Sequence, residues 1–143
     1  TDGAMQAVTG LSASITPTAS TSKVLVLVNM AMGPSVSAVI MGQLQRNGSA
    51  VGGGVANGSS PSINTAEYYV GSAANTPPCF TGAGVVHYLD SPATTSSVTY
   101  AMYIQGDSGA ATIYINRTGR DSSSGSAIDG RASSTITLME IAA

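Results

Sequence analysis

No stretch of this chain long enough for about three helical turns escapes Gly, Pro, Ser or a β-branched residue, and that removes most helical architectures. Short apolar runs recur instead. Leu11, Ala13 and Ile15 alternate with Ser12 and Ser14 until Pro17 ends the run. Val24 to Val28 is continuously apolar, and Met30 and Met32 carry it to Gly33-Pro34. Val39-Ile40-Met41 opens a strand that reaches Arg46, where Asn47-Gly48 predicts a tight turn. Residues 52–62 are rich in Gly and Ser and read as a long surface loop, Glu67 to Val70 as a short strand, and Asn75 to Pro78 as a break. Val85 to Leu89, Val98 to Gln105, Thr112 to Asn116 and Ser134 to Ile141 complete the strand signals. Asp90-Ser91-Pro92, Gly106-Asp107-Ser108-Gly109 and a polar loop over 119–130 separate them.

Runs of this length divided by turn residues predict an all-β chain, an antiparallel β-sandwich of jelly-roll type with seven or eight strands. With 143 residues it is expected to be a single domain over 1–143. No period of about 20 to 50 residues repeats, which argues against a solenoid or propeller.

Only 8% of the residues are charged, against about 25% in a typical soluble domain. The remaining surface must be hydroxyls and small residues, or be covered by copies of the same chain. Lys23, Arg46, Arg117, Arg120 and Arg131 are scattered and make no basic stripe, so no nucleic acid is expected as a partner. No apolar run approaches about 18 residues, so no membrane insertion is expected, and no secretory leader opens the chain. Thr1 in place of Met fits either a trimmed initiator or a piece of a longer chain. Cys79 stands alone and reads as a buried structural thiol, which leaves no intrachain disulfide and no Cys-type zinc site.

Several strings look like chemistry and have simpler readings. Gly106-Asp107-Ser108-Gly109 resembles the nucleophile loop of trypsin-like proteases, with His87 and Asp90 as conceivable partners. The chain is too short for the two barrels of that family, and Ala110 stands where it has a further Gly. A tight turn explains the string, and the expectation is no enzyme and no catalytic residue. His87 reads as an outward-facing or hydrogen-bonded strand residue. Asp121 to Asp129 lacks the alternating acidic ligands of a calcium loop, so no metal and no cofactor is expected. Tyr68-Tyr69 follows the long glycine loop and supplies candidate exposed ligand contacts, since Tyr is rigid and amphipathic. Glu140 lies in the otherwise apolar run Ile136-Thr137-Leu138-Met139-Glu140-Ile141, so it must face solvent or be paired, with a basic residue or a Tyr hydroxyl as the expected partner.

A longer series of segments, taken in order, carries a resemblance. Gly3-Ala4-Met5-Gln6 is followed by Gly10-Leu11-Ser12-Ala13-Ser14-Ile15-Thr16-Pro17, Ser22-Lys23-Val24-Leu25-Val26 and Leu44-Gln45-Arg46. Leu89-Asp90-Ser91-Pro92, Val98-Thr99-Tyr100, Tyr114-Ile115-Asn116-Arg117 and Ser134 to Ile141 come next. The series resembles the β-domain of tailed-phage virion proteins of the marine and cyanobacterial phage type, found in tail-fibre distal ends and small external virion proteins. The resemblance implies a virion-exterior location and, by analogy with TNF-like and C1q-like jelly rolls, a homotrimer that contacts other virion proteins. With no fibre shaft ahead of Met5, capsid decoration or a similar surface role is expected. The alternative is the receptor-binding tip of a tail fibre, whose loops at 52–62 and 119–130 would read a glycan or protein receptor on the host cell.

The runs Val24–Met32 and Ile136–Ile141 read as apolar on both faces, which a lone sandwich with one wet side does not require. Val24, Val26, Val28, Ile136, Leu138 and Glu140 are therefore the expected oligomer interface, with the last strand central in a sheet that faces a threefold axis. An obligate interface of this kind buries more than ~2,000 Å² in total.

Overall fold

The computed structural model describes residues 4–69, 82–107, 111–120 and 130–142, with the backbone alone for Tyr68 and Tyr69. Nine strands and no helix are present among them: β1 Gln6–Ile15, β2 Lys23–Pro34, β3 Ala38–Arg46, β4 Ser49–Ala50, β5 Thr65–Tyr69, β6 Gly82–Asp90, β7 Val98–Gly106, β8 Ile113–Ile115 and β9 Thr135–Ile141. They form two antiparallel sheets packed face to face, a β-sandwich. The expected strand count was one or two lower. The surplus is β4, a two-residue return too short to carry an apolar pattern.

One sheet runs β1-β7-β3, with β4 and β5 sharing the far side of β3, opposite Gln45–Arg46 and Ala38–Gly42 respectively. The other centres on β2, with β6 along one side. On its second side β8 pairs with Met32–Pro34 and β9 with Lys23–Asn29. β9 pairs with β2 alone, so it lies at the margin of its sheet and not at the centre, where the sequence reading put it. The long apolar run of β2 takes the central place instead, because only that strand offers both edges along most of its length.

The core comes from alternate residues of the two inner faces. Val24, Val26, Val28, Met30 and Met32 of β2 meet Ile40 and Leu44 of β3 and Val98, Tyr100 and Met102 of β7, all buried. Each such side chain contributes about 1.5–3 kcal/mol relative to exposure. Val8 and Leu11 of β1 close one flank, and β1 carries a bulge between Ala7 and Ser12.

The turn after β3 follows the sequence signal. Asn47 and Gly48 both have positive φ, 48° and 83°, as a two-residue hairpin requires. Asn47 also docks the turn on β7. Its amide donates to the Thr99 carbonyl at 2.9 Å, and its side-chain oxygen accepts from the Thr99 amide at 2.9 Å.

Candidate functional site

The side-chain period of two along a strand decides which apolar residues are free to meet another molecule. In β2 the even-numbered residues Val24, Val26 and Val28 point inward and are fully covered by the chain's own second sheet. They are core, and the expectation that they form an oligomer interface is corrected. Ile136 and Leu138 of β9 share that inward side and pack, half-buried, against the same core. The polar residues had marked the phase: Lys23 and Asn29 bracket the run at odd positions, as Thr135 and Thr137 do in β9, and an uncompensated polar side chain goes to water.

The odd-numbered residues build the outer face, and the register stacks them in rows. Leu89 of β6, Leu25 of β2 and Met139 of β9 form one row. His87, Leu27 and Thr137 form the next, then Val85, Asn29 and Thr135, while Lys23 stands beside Ile141 at the other end. Directly opposed side chains on one face lie about 5 Å apart, so these rows are continuous surface. Val85 is 47% exposed, Leu89 48%, Met139 46% and Ile141 40%. Leu25 and Leu27 between them are half-buried. Lys23 is the single permanently charged residue of these rows. At the usual strand spacing and rise, three strands of this length present roughly 400 Å² in projection, polar residues included, within the ~300–600 Å² of the largest patch on a typical monomer.

The outer face of the other sheet has a different chemistry. Ser12, Ser14 and Thr99 are exposed there, with the Ser14 and Thr99 hydroxyls 2.7 Å apart. The Gln45 amide donates to the Gln43 side-chain oxygen at 2.7 Å, and the Gln43 amide donates on to the Ser62 carbonyl. Low charge is thus met in two ways: one outer face carries hydroxyls and amides, and the other sets Leu25, Leu27, Val85, Leu89, Met139 and Ile141 among Lys23, Asn29, His87, Thr135 and Thr137.

Glu140 lies near the end of β9, on the same side of the strand as Ile136 and Leu138. Its Oε1 accepts from the Thr18 amide at 2.8 Å and from the Thr18 hydroxyl at 2.7 Å. The Ser22 hydroxyl first, then the Thr18 hydroxyl and amide, hold its carboxyl below the usual carboxylate range. The expected basic or Tyr partner is replaced by the turn between β1 and β2.

His87 and Asp90 occupy opposite faces of β6. His87 is exposed, whereas Asp90 is buried and engaged by Arg46 and Tyr100. Asp90 does not orient His87, and Ser108 lies outside the described residues, as Cys79 does. Among the described residues no group of three or more His, Cys, Asp or Glu side chains could hold a metal ion. Tyr68 and Tyr69 are in β5, opposite Val39 and Ala38, and their side chains lie outside the described residues.

The loop over 51–64 is an arm with a fastened base. Asn64 donates from its side chain to the Val51 carbonyl at 3.0 Å and accepts from the Leu44 amide at 2.7 Å, while its own amide reaches the Gly42 carbonyl at 2.8 Å. Toward the tip Asn57 and Ser60 exchange backbone hydrogen bonds, and Val55 is 99% exposed. Of the loop at 119–130, residues 121–129 lie outside the described residues. No protein-family model matches the chain, and no curated protein matches it.

Proposed function

We propose that this chain is a non-enzymatic structural subunit on the exterior of a bacteriophage particle, in capsid decoration or a similar surface role, and that it assembles as a homotrimer. The virion assignment rests on the ordered series of segments from Gly3 to Ile141 that resembles external phage β-domains. The observation that carries self-association is the row Leu89-Leu25-Met139 with Val85, Leu27 and Ile141 beside it on the outer face of the β6-β2-β9 sheet, apolar side chains that a solitary sandwich would leave in contact with water. The strand order supports the jelly-roll form: the chain changes sheet between β1 and β2, β2 and β3, β5 and β6, β6 and β7, and β7 and β8. Closed symmetry is the economical way to cover one such face on every copy. Sedimentation equilibrium at micromolar concentration tests the assembly: a mass of three chains is expected, and a monomer overturns it. Labelling of intact particles with an antibody against the chain tests the location.

The fastened arm at 51–64 favours a second reading, the receptor-binding tip of a tail fibre. A preformed loop with an exposed apolar tip loses little freedom on binding. Under that reading Val55→Asp lowers adsorption to host cells while the mass of the assembly stays the same.

A further inference from the structure

His87 is the one histidine of the chain, and it stands exposed within the aliphatic rows. Across the sheet it faces Leu27 of β2, with Thr137 of β9 beyond; along its own strand it is flanked by Val85 and Leu89. A shallow groove there is lined by Leu27, Asn29, Val85, His87, Thr135 and Thr137. On this face β2 also brings Leu25 and β9 brings Met139, and none of these neighbours titrates. Lys23 is charged but lies two rows away, beyond Leu25, and it is a cation. Asp90 and Glu140 are on the inward side of their strands, committed to other partners. Among the described residues this face therefore holds no carboxylate that could neutralise an imidazolium.

We propose that His87 makes the packing of this face against a second copy sensitive to protons: chains associate while the imidazole is neutral and separate as it takes up a proton. The proposal rests on the self-association reading above and adds its regulation. In the free chain the ring is exposed to water, and histidine is the side chain type whose ordinary charge change falls between about pH 5 and 8. In the assembly the ring is buried beside aliphatic neighbours, and the same face of the other copies around the threefold axis brings no carboxylate among the described residues. Burial in such surroundings disfavours the charged form. The assembly then binds fewer protons than the separated chains, so association weakens as the pH falls across the range in which histidines ordinarily titrate. A cyclic assembly repeats the effect on every copy.

The test is sedimentation velocity on the full chain at constant ionic strength, in steps from about pH 8 to about pH 6, a range in which ordinary carboxylates do not titrate. The apparent dissociation constant should rise as the pH falls, by up to about tenfold per pH unit for each linked proton. The dissociation constant of the His87→Gln variant, whatever its value at about pH 8, should not move over the same range, and circular dichroism should show both chains folded throughout. Equal pH dependence in wild type and H87Q, or none in wild type, overturns the role of His87 while leaving self-association standing. A wild-type monomer at pH 8 overturns both readings.

Discussion

The Tyr100 phenol donates to the same Asp90 oxygen that Arg46 holds, at 2.6 Å and 2.7 Å, and so fastens one sheet to the other at an end of the sandwich. Asp90 closes β6 in one sheet, while Arg46 and Tyr100 come from β3 and β7 in the other. Removing the shared acceptor strands a buried phenol and a guanidinium together. Asp90→Ala should cost about 3–5 kcal/mol in urea unfolding, and Tyr100→Phe, which leaves Arg46 in place, about 1–2 kcal/mol.

The same triad fixes a limit at alkaline pH. Burial first, then the Asp90 carboxylate, push the Tyr100 phenol above the ordinary tyrosine range. A raised value means that the unfolded chain ionises first, so the contribution is whole below about pH 10 and is lost as the pH rises beyond it. The stability advantage of wild type over Tyr100→Phe should therefore shrink above about pH 10. Parallel alkaline limbs in the two proteins would show that another group is responsible.

Glu140 acts in the opposite direction. Its carboxyl is held low by Ser22 and Thr18, so its hold on the β1–β2 turn is present above the ordinary glutamate value of about 4.3 and is lost as the pH falls through the lower folded value. Hydrogen exchange at the Thr18 amide is the readout. Its protection factor should be high at neutral pH in wild type, drop in acid, and be low at both in Glu140→Ala. Protection that survives the substitution would remove the carboxylate from this role.

Neighbouring residues of β2 should give opposite phenotypes. Val26→Ala opens a cavity in the core and should cost about 2 kcal/mol whatever the state of assembly. Leu25→Asn, one position away on the outer face, should cost the monomer about 1 kcal/mol, less than Val26→Ala, and weaken self-association. Urea melts in dilute protein, paired with sedimentation, separate the two effects. A Leu25 variant destabilised as much as Val26→Ala but fully associated would contradict the assignment of faces.

Gly119 passes so close to the end of β2 that a Cβ there would come within 2.0 Å of the Pro34 carbonyl oxygen. Backbone cannot swing aside as a long side chain can. Gly119→Ala should cost about 3 kcal/mol through overpacking, whereas Gly54→Ala, which would meet nothing within 4 Å, should be close to neutral. Thermal melts of the two variants make the comparison.

Much of the framework was legible because it depends on local chemistry. The apolar run from Val24 ends at Gly33-Pro34 as β2 does, and Asn47-Gly48 is the turn its residue types require. Val24, Val26 and Val28, expected in an interface, are core for a physical reason. A run of five aliphatics hides its phase, and the phase was recoverable only from the flanking Lys23 and Asn29. The partner of Glu140 was out of reach in another way. Thr18 is 122 positions distant, and no local pattern brings a hydroxyl of an early turn to a late strand. The Asp90 triad was hidden similarly: Asp90 read as a strand stop and Arg46 as a strand end, and only the stacking of two sheets brings them together.

The pairing of β2 with β9 carries a consequence for biosynthesis. Leu25 and Leu27 leave the ribosome early, but Met139 and Thr137, which complete their rows, belong to the last of the described strands. Contacts so far apart in sequence form late in folding. A nascent chain thus presents only part of this outer face until β9 docks, and, under the proposed self-association, a prematurely terminated product would lack the strand that completes the contact surface.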